Sequence, residues 1–373
     1  MRAEDARTTT IEMGKALADR VVDDVGGAFT VGLAYMGDKL GLFVALAEAL
    51  RSTSIEVAQR TGLDERYVRE WLNGMVASGY VEHDPVAGTY FLDAEQKAAF
   101  VDEGGRTFVA GAFQLALPSL LLVPQLLEVF RRGGGIPFHE LSPEIPSAID
   151  RMHRPWFDHL LVQEWLPAAP GVIEALTAGI SVLDVGCGQG RSTLALARAY
   201  PKSRFVGIDP HLPSLDRARA AARQQALGNV ELAAVTVESL AAGDRPGASI
   251  RAGRFDLAIA IDCIHDMVRP VEGLRAIRGL LAPGGRVFWS EPTGSHEPLE
   301  NRNPQGRLRA SLSPFHCLTV SLAEGGAGLG TIIGEAGARA LAAEAGFGSF
   351  QRLPSQSLTQ QFFLLASEAT GVG

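Results

Sequence analysis

Residues 181–193 read Ser-Val-Leu-Asp-Val-Gly-Cys-Gly-Gln-Gly-Arg-Ser-Thr, an apolar run that passes straight into a turn with glycine at alternate positions. Val182, Leu183 and Val185 suit a short strand buried on both faces, as in a parallel sheet. Gly186, Gly188 and Gly190 lack a Cβ, so the backbone there can turn sharply and come close to a bound nucleoside. The alanine- and leucine-rich stretch from Arg191 to Tyr200 reads as a helix whose N-terminus points at whatever the loop holds. Strand, glycine turn and helix in this order predict the cofactor loop of an α/β domain.

A glycine pattern alone is a weak signal, and an acidic partner strengthens it. Phe205-Val206-Gly207-Ile208-Asp209 reads as a second strand, with Asp209 about 20 residues past the loop, where a carboxylate can accept from both ribose hydroxyls. The spacing is G-x-G-x-G rather than the dinucleotide fingerprint. Leu183-Asp184-Val185-Gly186-Cys187-Gly188-Gln189-Gly190 resembles motif I of the class I S-adenosylmethionine (SAM) dependent methyltransferases. Phe255 to Ala260 resembles the family's fourth strand, and Leu280-Leu281-Ala282-Pro283-Gly284-Gly285-Arg286-Val287 its turn into the fifth. The resemblance implies a Rossmann-like, doubly wound sheet that binds SAM and releases S-adenosylhomocysteine.

At 373 residues the chain is long enough for more than one domain. Its formal net charge of −8 disfavours nonspecific binding to nucleic acid or anionic membranes. Cys187, Cys263 and Cys317 are far apart and form neither a disulfide framework nor a zinc signature, so no metal is expected. A reducing cytoplasm follows as the simplest location, and the first 20 residues, with Glu4, Asp5, Glu12 and Asp19, do not read as a secretion signal. The apolar stretch Phe108 to Phe130 is interrupted by Pro118 and Pro124 and reads as two helices broken near the prolines rather than a membrane span.

The N-terminal part reads as helices around a break near Gly37-Asp38. Ser54 then caps one short helix, Gly62 ends it, and Asp64 caps a second. Tyr80 to His83 and Thr89 to Leu92 flank a turn and predict a hairpin. Helix, turn, helix and hairpin make a winged-helix unit. On its second helix Arg66 and Arg69 are offset by Asp64, Glu65 and Glu70, which argues for dimerisation or a lid over DNA binding. The expected division is a winged-helix and dimerisation domain at 1–95, a helical linker and lid at 96–180, and the cofactor-binding domain at 181–373. Gly325 to Gly330 reads as a second glycine-rich loop, flexible and on the substrate side. Together with Gly37 to Phe43, Arg132 to Pro137 and His316 to Ala323, the winged helix resembles a bacterial two-domain methyltransferase subfamily typified by a mycobacterial enzyme. That resemblance implies a homodimer and a small-molecule acceptor.

The chemistry should lie beyond the carboxyl ends of the strands. His265 and Asp266 follow the fourth strand. His265 can take a proton from a hydroxyl or thiol, and it can equally cap the next helix or pack on the cofactor. His316 is a second candidate base or orienting residue, and Glu291, ending the fifth strand, can face the acceptor. The family resemblance assigns Asp184, Gly186, Gly188, Gly190 and Asp262 to the amino-acid part of SAM, Asp209 to the ribose, and Pro210, His211, Thr236, Val237 and Glu238 to the adenine. Arg302, Arg307 and Arg309 read as a solvated loop that could also bind an anionic group. The expected reaction is methyl transfer from SAM to an oxygen or sulfur nucleophile of a small molecule. A cyclase or decarboxylase that keeps the cofactor fold, and a SAM-sensing transcription regulator, fit the same loop.

Overall fold

A computed structural model describes residues 3–243 and 255–367, with side chains from residue 15 onward. Glu4, Asp5 and Glu12 lie outside the described side chains. The chain divides into two compact units, Met1–Pro118 and Ser119–Gly373. The division falls inside the segment read from sequence as 96–180. Phe100, Phe108 and Phe113 share one core with Phe43, Trp71 and Met75, so the chain up to the first proline of the apolar stretch is held with the winged helix.

The first unit opens with α1 (Ala3–Lys39), which runs through Gly37 without a break and stops at Gly41, whose φ of 71° is left-handed. Gly37 serves packing instead of punctuation. A Cβ there would lie 2.4 Å from the Trp71 ring, whose Nε1 donates to the Leu33 carbonyl at 2.8 Å. After α2 (Leu42–Glu48) come α3 (Ser54–Thr61) and α4 (Glu65–Ala77). Thr53 rather than Ser54 caps α3, in a capping box with Glu56, and Asp64 caps α4 as expected. On α4 Arg66 pairs with Glu70 and Arg69 with Glu65, so its arginines are offset along the helix itself. The hairpin β1 (Glu82–Asp84) and β2 (Thr89–Phe91) follows, then α5 (Ala94–Phe100) and α6 (Gly111–Leu120).

The second unit begins with α7 (Val123–Arg132). The break in the apolar stretch falls at residues 121–122, because Pro118 is tolerated inside α6 and Pro124 occupies the first turn of α7, where its missing N–H costs nothing. Among the described residues no single helix is long and apolar enough to cross a membrane. α8 (Glu144–Pro155) continues into a π-helical segment, Trp156–Trp165, and α9 (Val172–Ala178) leads into the sheet.

The sheet has seven strands: β3 (Ser181–Val185), β4 (Arg204–Ile208), β5 (Val230–Ala233), β6 (Phe255–Ile261), β7 (Leu281–Pro292), β8 (Ser349–Arg352) and β9 (Gln360–Ala366). Their order is β5-β4-β3-β6-β7-β9-β8, parallel except for the two pairings made by β9. The crossover helices are α10 (Arg191–Ala199), α11 (Leu212–Gln224), α12 (Val237–Ala242) and α13 (Pro270–Leu280). Further on come α14 (Pro304–Leu312), α15 (Cys317–Ala323) and α16 (Gly334–Glu344). Alternation of inward side chains gives the sheet a core on each face, one around Trp289 and Phe363, the other around Phe288 and Phe362. Strand order reverses between β3 and β6, and an open α/β sheet binds its ligand at that switch point.

Candidate active site

The glycine loop after β3 is tied to the end of β4. Gly186 and Cys187 both donate to the Ile208 carbonyl, at 2.9 and 3.1 Å. Gly186, Gly188 and Gly190 have φ of 69°, 52° and 78°, so all three occupy the left-handed region that favours glycine. At Gly186 a Cβ would sit 2.6 Å from the Cβ of Cys263, whereas at Gly188 it would meet nothing within 4 Å. The loop is therefore packed on its inner side and open at its tip.

Asp209 closes the tip. Its Oδ2 accepts from the Gly188 N–H at 2.9 Å and its Oδ1 from the His211 N–H at 2.8 Å. Burial holds its pKa above the ordinary carboxylate value, and the two backbone donors only limit the rise. A carboxylate has about four lone-pair positions, so two bonds orient Asp209 and leave one acceptor site on each oxygen for a pair of hydroxyls. Open space beside Gly188 and a fixed, half-satisfied carboxylate fit a nucleoside ribose.

Asp184 is set differently. It is buried, and its Oδ2 accepts from the hydroxyls of Ser192 and Thr193, at 2.6 and 2.5 Å, bracing the start of α10 under the loop. Burial pushes its pKa up to about 6 despite those hydroxyls. The residues expected at the adenine also have structural work: Thr236 caps α12 through Ser239, and Val237 lies in the core of the sheet. Pro210 is exposed, and the half-buried His211 is joined through Nδ1 to Ser214 at 2.8 Å. Glu238 is half-buried.

Beyond β6 two polar groups form on opposite faces of the sheet. On one, Asp262 has a left-handed φ of 52°, unusual for a residue with a Cβ. Its Oδ2 accepts from Gln360 Nε2 at 3.1 Å and lies 3.7 Å from His153 Nε2, while its Oδ1 is buried without a hydrogen-bond partner among the described residues. Burial lifts the Asp262 carboxyl to about 7 and drives His153, stacked 4.0 Å from Trp156, down to about 3.

On the other face His265 meets Glu291 of β7. Nδ1 lies 2.6 Å from Glu291 Oε2, and Trp289 Nε1 donates to Oε1 at 2.7 Å. Glu291 and Trp289 are completely buried. Asp266 Oδ1 lies 3.4 Å from His265 Nε2, too far off line to count as a hydrogen bond. Burial works against the imidazolium, but the Asp266 and Glu291 carboxylates outweigh it and hold the His265 pKa well above its ordinary value. His316 precedes α15, packs near Phe138, and keeps a neutral ring because burial lowers its pKa.

Two expectations change. Gly325 to Gly330 is pinned: Ala327 N–H donates to the Val268 carbonyl at 3.0 Å, and Gly326 and Gly328 donate to Ser321. Arg309 is buried, its guanidinium donating to the carbonyls of Thr293 and Thr359, so it ties loop to strand instead of lying in solvent. Arg302 and Arg307 are exposed. The links that sequence reasoning missed join distant positions. Arg191, beside the loop, makes a two-bond pair with Asp150 of α8 at 2.7 and 2.6 Å, and Gln189 donates to the Pro146 carbonyl at 3.2 Å.

Residues 27–102 match the family described as an Rv2258c-like winged HTH domain, and residues 183–287 match a methyltransferase domain. The chain joins a winged helix-turn-helix domain to a methyltransferase domain. Over 143 residues the chain is 33% identical to the ubiquinone biosynthesis O-methyltransferase of Acinetobacter baylyi, a match covering 38% of this chain and 53% of that one. The chain thus spans about half the length of the curated relatives it matches. Solved structures share the fold over almost the whole chain. Human N-acetylserotonin methyltransferase in complex with SAM has a TM-score of 0.70 at 16% identity, covering 94% of this chain and 98% of that one. The mitomycin 7-O-methyltransferase MmcR has 0.70 at 18% identity, covering 95% and 99%. PigF with S-adenosylhomocysteine has 0.71 at 17% identity, covering 93% and 98%.

Proposed function

We propose that the protein is a SAM-dependent methyltransferase that methylates an oxygen of a small molecule, with a sulfur nucleophile as the variant of the same chemistry. The observation that carries this is Asp209, fixed by two backbone donors beside three left-handed glycines at the switch point of a methyltransferase domain. When bound, SAM supplies a methyl carbon already activated by its sulfonium and leaves as S-adenosylhomocysteine.

The chain's own contribution is binding, alignment and proton handling. Asp209 takes the ribose hydroxyls, the backbone of Gly186, Gly188 and Gly190 lies along the amino-acid part, and Asp184 braces that backbone from below. The free Oδ1 of Asp262 suits the amine. Pro210, His211 and the Thr236 to Glu238 segment flank the adenine, with Val237 acting through packing. At the acceptor, His265 takes the proton at Nε2 as the oxygen–methyl bond forms, in the neutral form it reaches only above its raised pKa. Glu291 and Asp266 stabilise the imidazolium so made, and neutral His316 orients the acceptor. We also read the protein as a cytoplasmic homodimer with no nucleic-acid or membrane partner. Its α1 presents Leu17, Val21, Val25 and Phe29 as an exposed apolar stripe, which suits a second copy of the same helix.

The test is incubation with methyl-labelled SAM and fractionated small metabolites, headspace included, while following S-adenosylhomocysteine. A labelled O-methyl or S-methyl product is expected. Tight cofactor binding with no labelled product overturns the assignment in favour of a non-methylating enzyme or a sensor.

A further inference from the structure

We propose that His265, Asp266 and Cys317 form a binding site for one zinc-class divalent cation, and that filling it switches the enzyme off. Each residue offers one ligand atom, and the three atoms lie within 4.8 Å of one another. They come from the turn after β6 and the first residue of α15, so the cluster is assembled by the fold and invisible to spacing.

Four features suit a cation at this cluster, in which His265 and Cys317 also share a side-chain hydrogen bond. His265 has its Nδ1 committed to Glu291, which Trp289 holds through the other oxygen, leaving Nε2 as the ligating nitrogen. A carboxylate behind a ligating histidine is the usual support for a metal-bound imidazole. Asp266 Oδ1 is buried with no hydrogen-bond partner among the described residues, 3.4 Å from Nε2, and two ligands at roughly 2.0–2.1 Å on a tetrahedral ion are separated by about that much. Cys317 is buried, and Thr331 donates to its Sγ at 3.2 Å, which orients the sulfur. One nitrogen, one oxygen and one sulfur select zinc or its soft neighbours over magnesium or calcium.

Three protein ligands leave a fourth position for water or an anion. The cation would occupy the same Nε2 lone pair that takes the acceptor's proton. The inhibitory half of the proposal therefore rests on the role given to His265 above, and the binding half does not.

The experiment uses full-length protein stripped with EDTA. Zinc titration followed by metal analysis should show one ion per chain, and cobalt substitution should give the thiolate-to-metal absorption band of a sulfur ligand. Cys317→Ala and Cys317→Ser should weaken zinc binding at least ~10-fold. Stripped wild-type protein should transfer methyl groups and lose that activity as the site fills, while Cys317→Ala stays active at the same zinc concentration. Absence of one-per-chain binding, lack of the cobalt band, or binding unchanged in both Cys317 variants overturns the site. Zinc that restores activity to an inactive stripped enzyme overturns the inhibitory role. Failure of methyl transfer under every metal condition counts against the proposed function alone, because binding and the cobalt band are read without turnover.

Discussion

Two glycine-rich stretches of similar composition, Gly186 to Gly190 and Gly325 to Gly330, have opposite uses. The first follows a buried strand and precedes a helix, and its tip bonds to a carboxylate that keeps lone pairs to spare. The second follows the short helix α15 and turns its donors inward, to Val268 and Ser321. Glycine in the first leaves open space at the tip, where we propose that the ligand lies. In the second it lets the chain approach itself: a Cβ on Gly326 would lie 2.6 Å from the Ser321 carbonyl oxygen and 2.9 Å from the Val268 Cα. What precedes a glycine run and where its N–H groups go decide its role, not the number of glycines.

The largest expected effects break the comparison directly. Gly186→Val forces a left-handed β-branched residue against Cys263. Strain and overpacking should together cost about 2–4 kcal/mol of stability and abolish measurable SAM binding. Gly326→Val should cost about 1–3 kcal/mol and lower turnover by displacing the segment that follows His265, yet leave SAM affinity within about twofold. Calorimetric titration beside thermal unfolding separates the two. Equal loss of SAM affinity in both variants would refute the assignment of separate roles.

Next comes the carboxylate at the tip of the first loop. Asp209→Ala removes acceptors for two hydroxyls and leaves the N–H groups of Gly188 and His211 without their partner. A loss of about 2–3 kcal/mol in SAM binding is expected, roughly 30- to 150-fold, with little change in the acceptor's KM. The second loop has no such carboxylate, so no single substitution there should reproduce that pattern.

These differences show what a sequence carries. Strand, loop and Asp209 were legible because they are local: a buried apolar run, its turn and the next strand's end determine one another. The winged helix was legible for the same reason, through caps at Gly62 and Asp64. The other half of the site depends on pairs that only the fold brings together. Glu291 meets His265 across 26 positions, Arg191 meets Asp150 across 41, and Gln360 meets Asp262 across 98. Gly37 misled because a helix can hide a glycine that exists for the Trp71 ring, and Arg309 because a polar segment conceals which guanidinium turns inward. Thr236 and Val237 sit where the adenine is expected, but a cap and a core position use those same residue types.

A smaller effect sharpens the role of Asp184 under the first loop. Burial raises its pKa to about 6, so the folded chain holds the proton more tightly than the unfolded chain, whose carboxyl titrates at 3.8. This contribution therefore favours the folded state at low pH and fades as pH rises from about 4 through 6. Each tenfold gain in proton affinity corresponds to about 1.4 kcal/mol, so wild-type stability should fall by about 2–3 kcal/mol over that range. Asp184→Asn should remove that slope, leaving a flatter profile in denaturant titrations at pH 4.5 and 7. An unchanged slope would mean that Ser192 and Thr193 satisfy the carboxylate better than its burial penalises it.

The smallest effect isolates the ligand from the fold. Gly188 and Gly325 both have left-handed φ, 52° and 70°, and at both a Cβ would meet nothing within 4 Å. Alanine at either position therefore carries backbone strain alone, about 1 kcal/mol, and the two variants should melt at nearly the same temperature. Their difference should appear only when SAM is added. At Gly188 the new methyl group projects from the open tip beside Asp209, where the cofactor has to lie, so the ligand-induced rise in melting temperature should shrink. At Gly325 that rise should match wild type, because the second loop has spent its backbone on α15 and Val268. An equal rise in both variants would place the cofactor away from the tip and leave Asp209 as a purely structural brace for the turn.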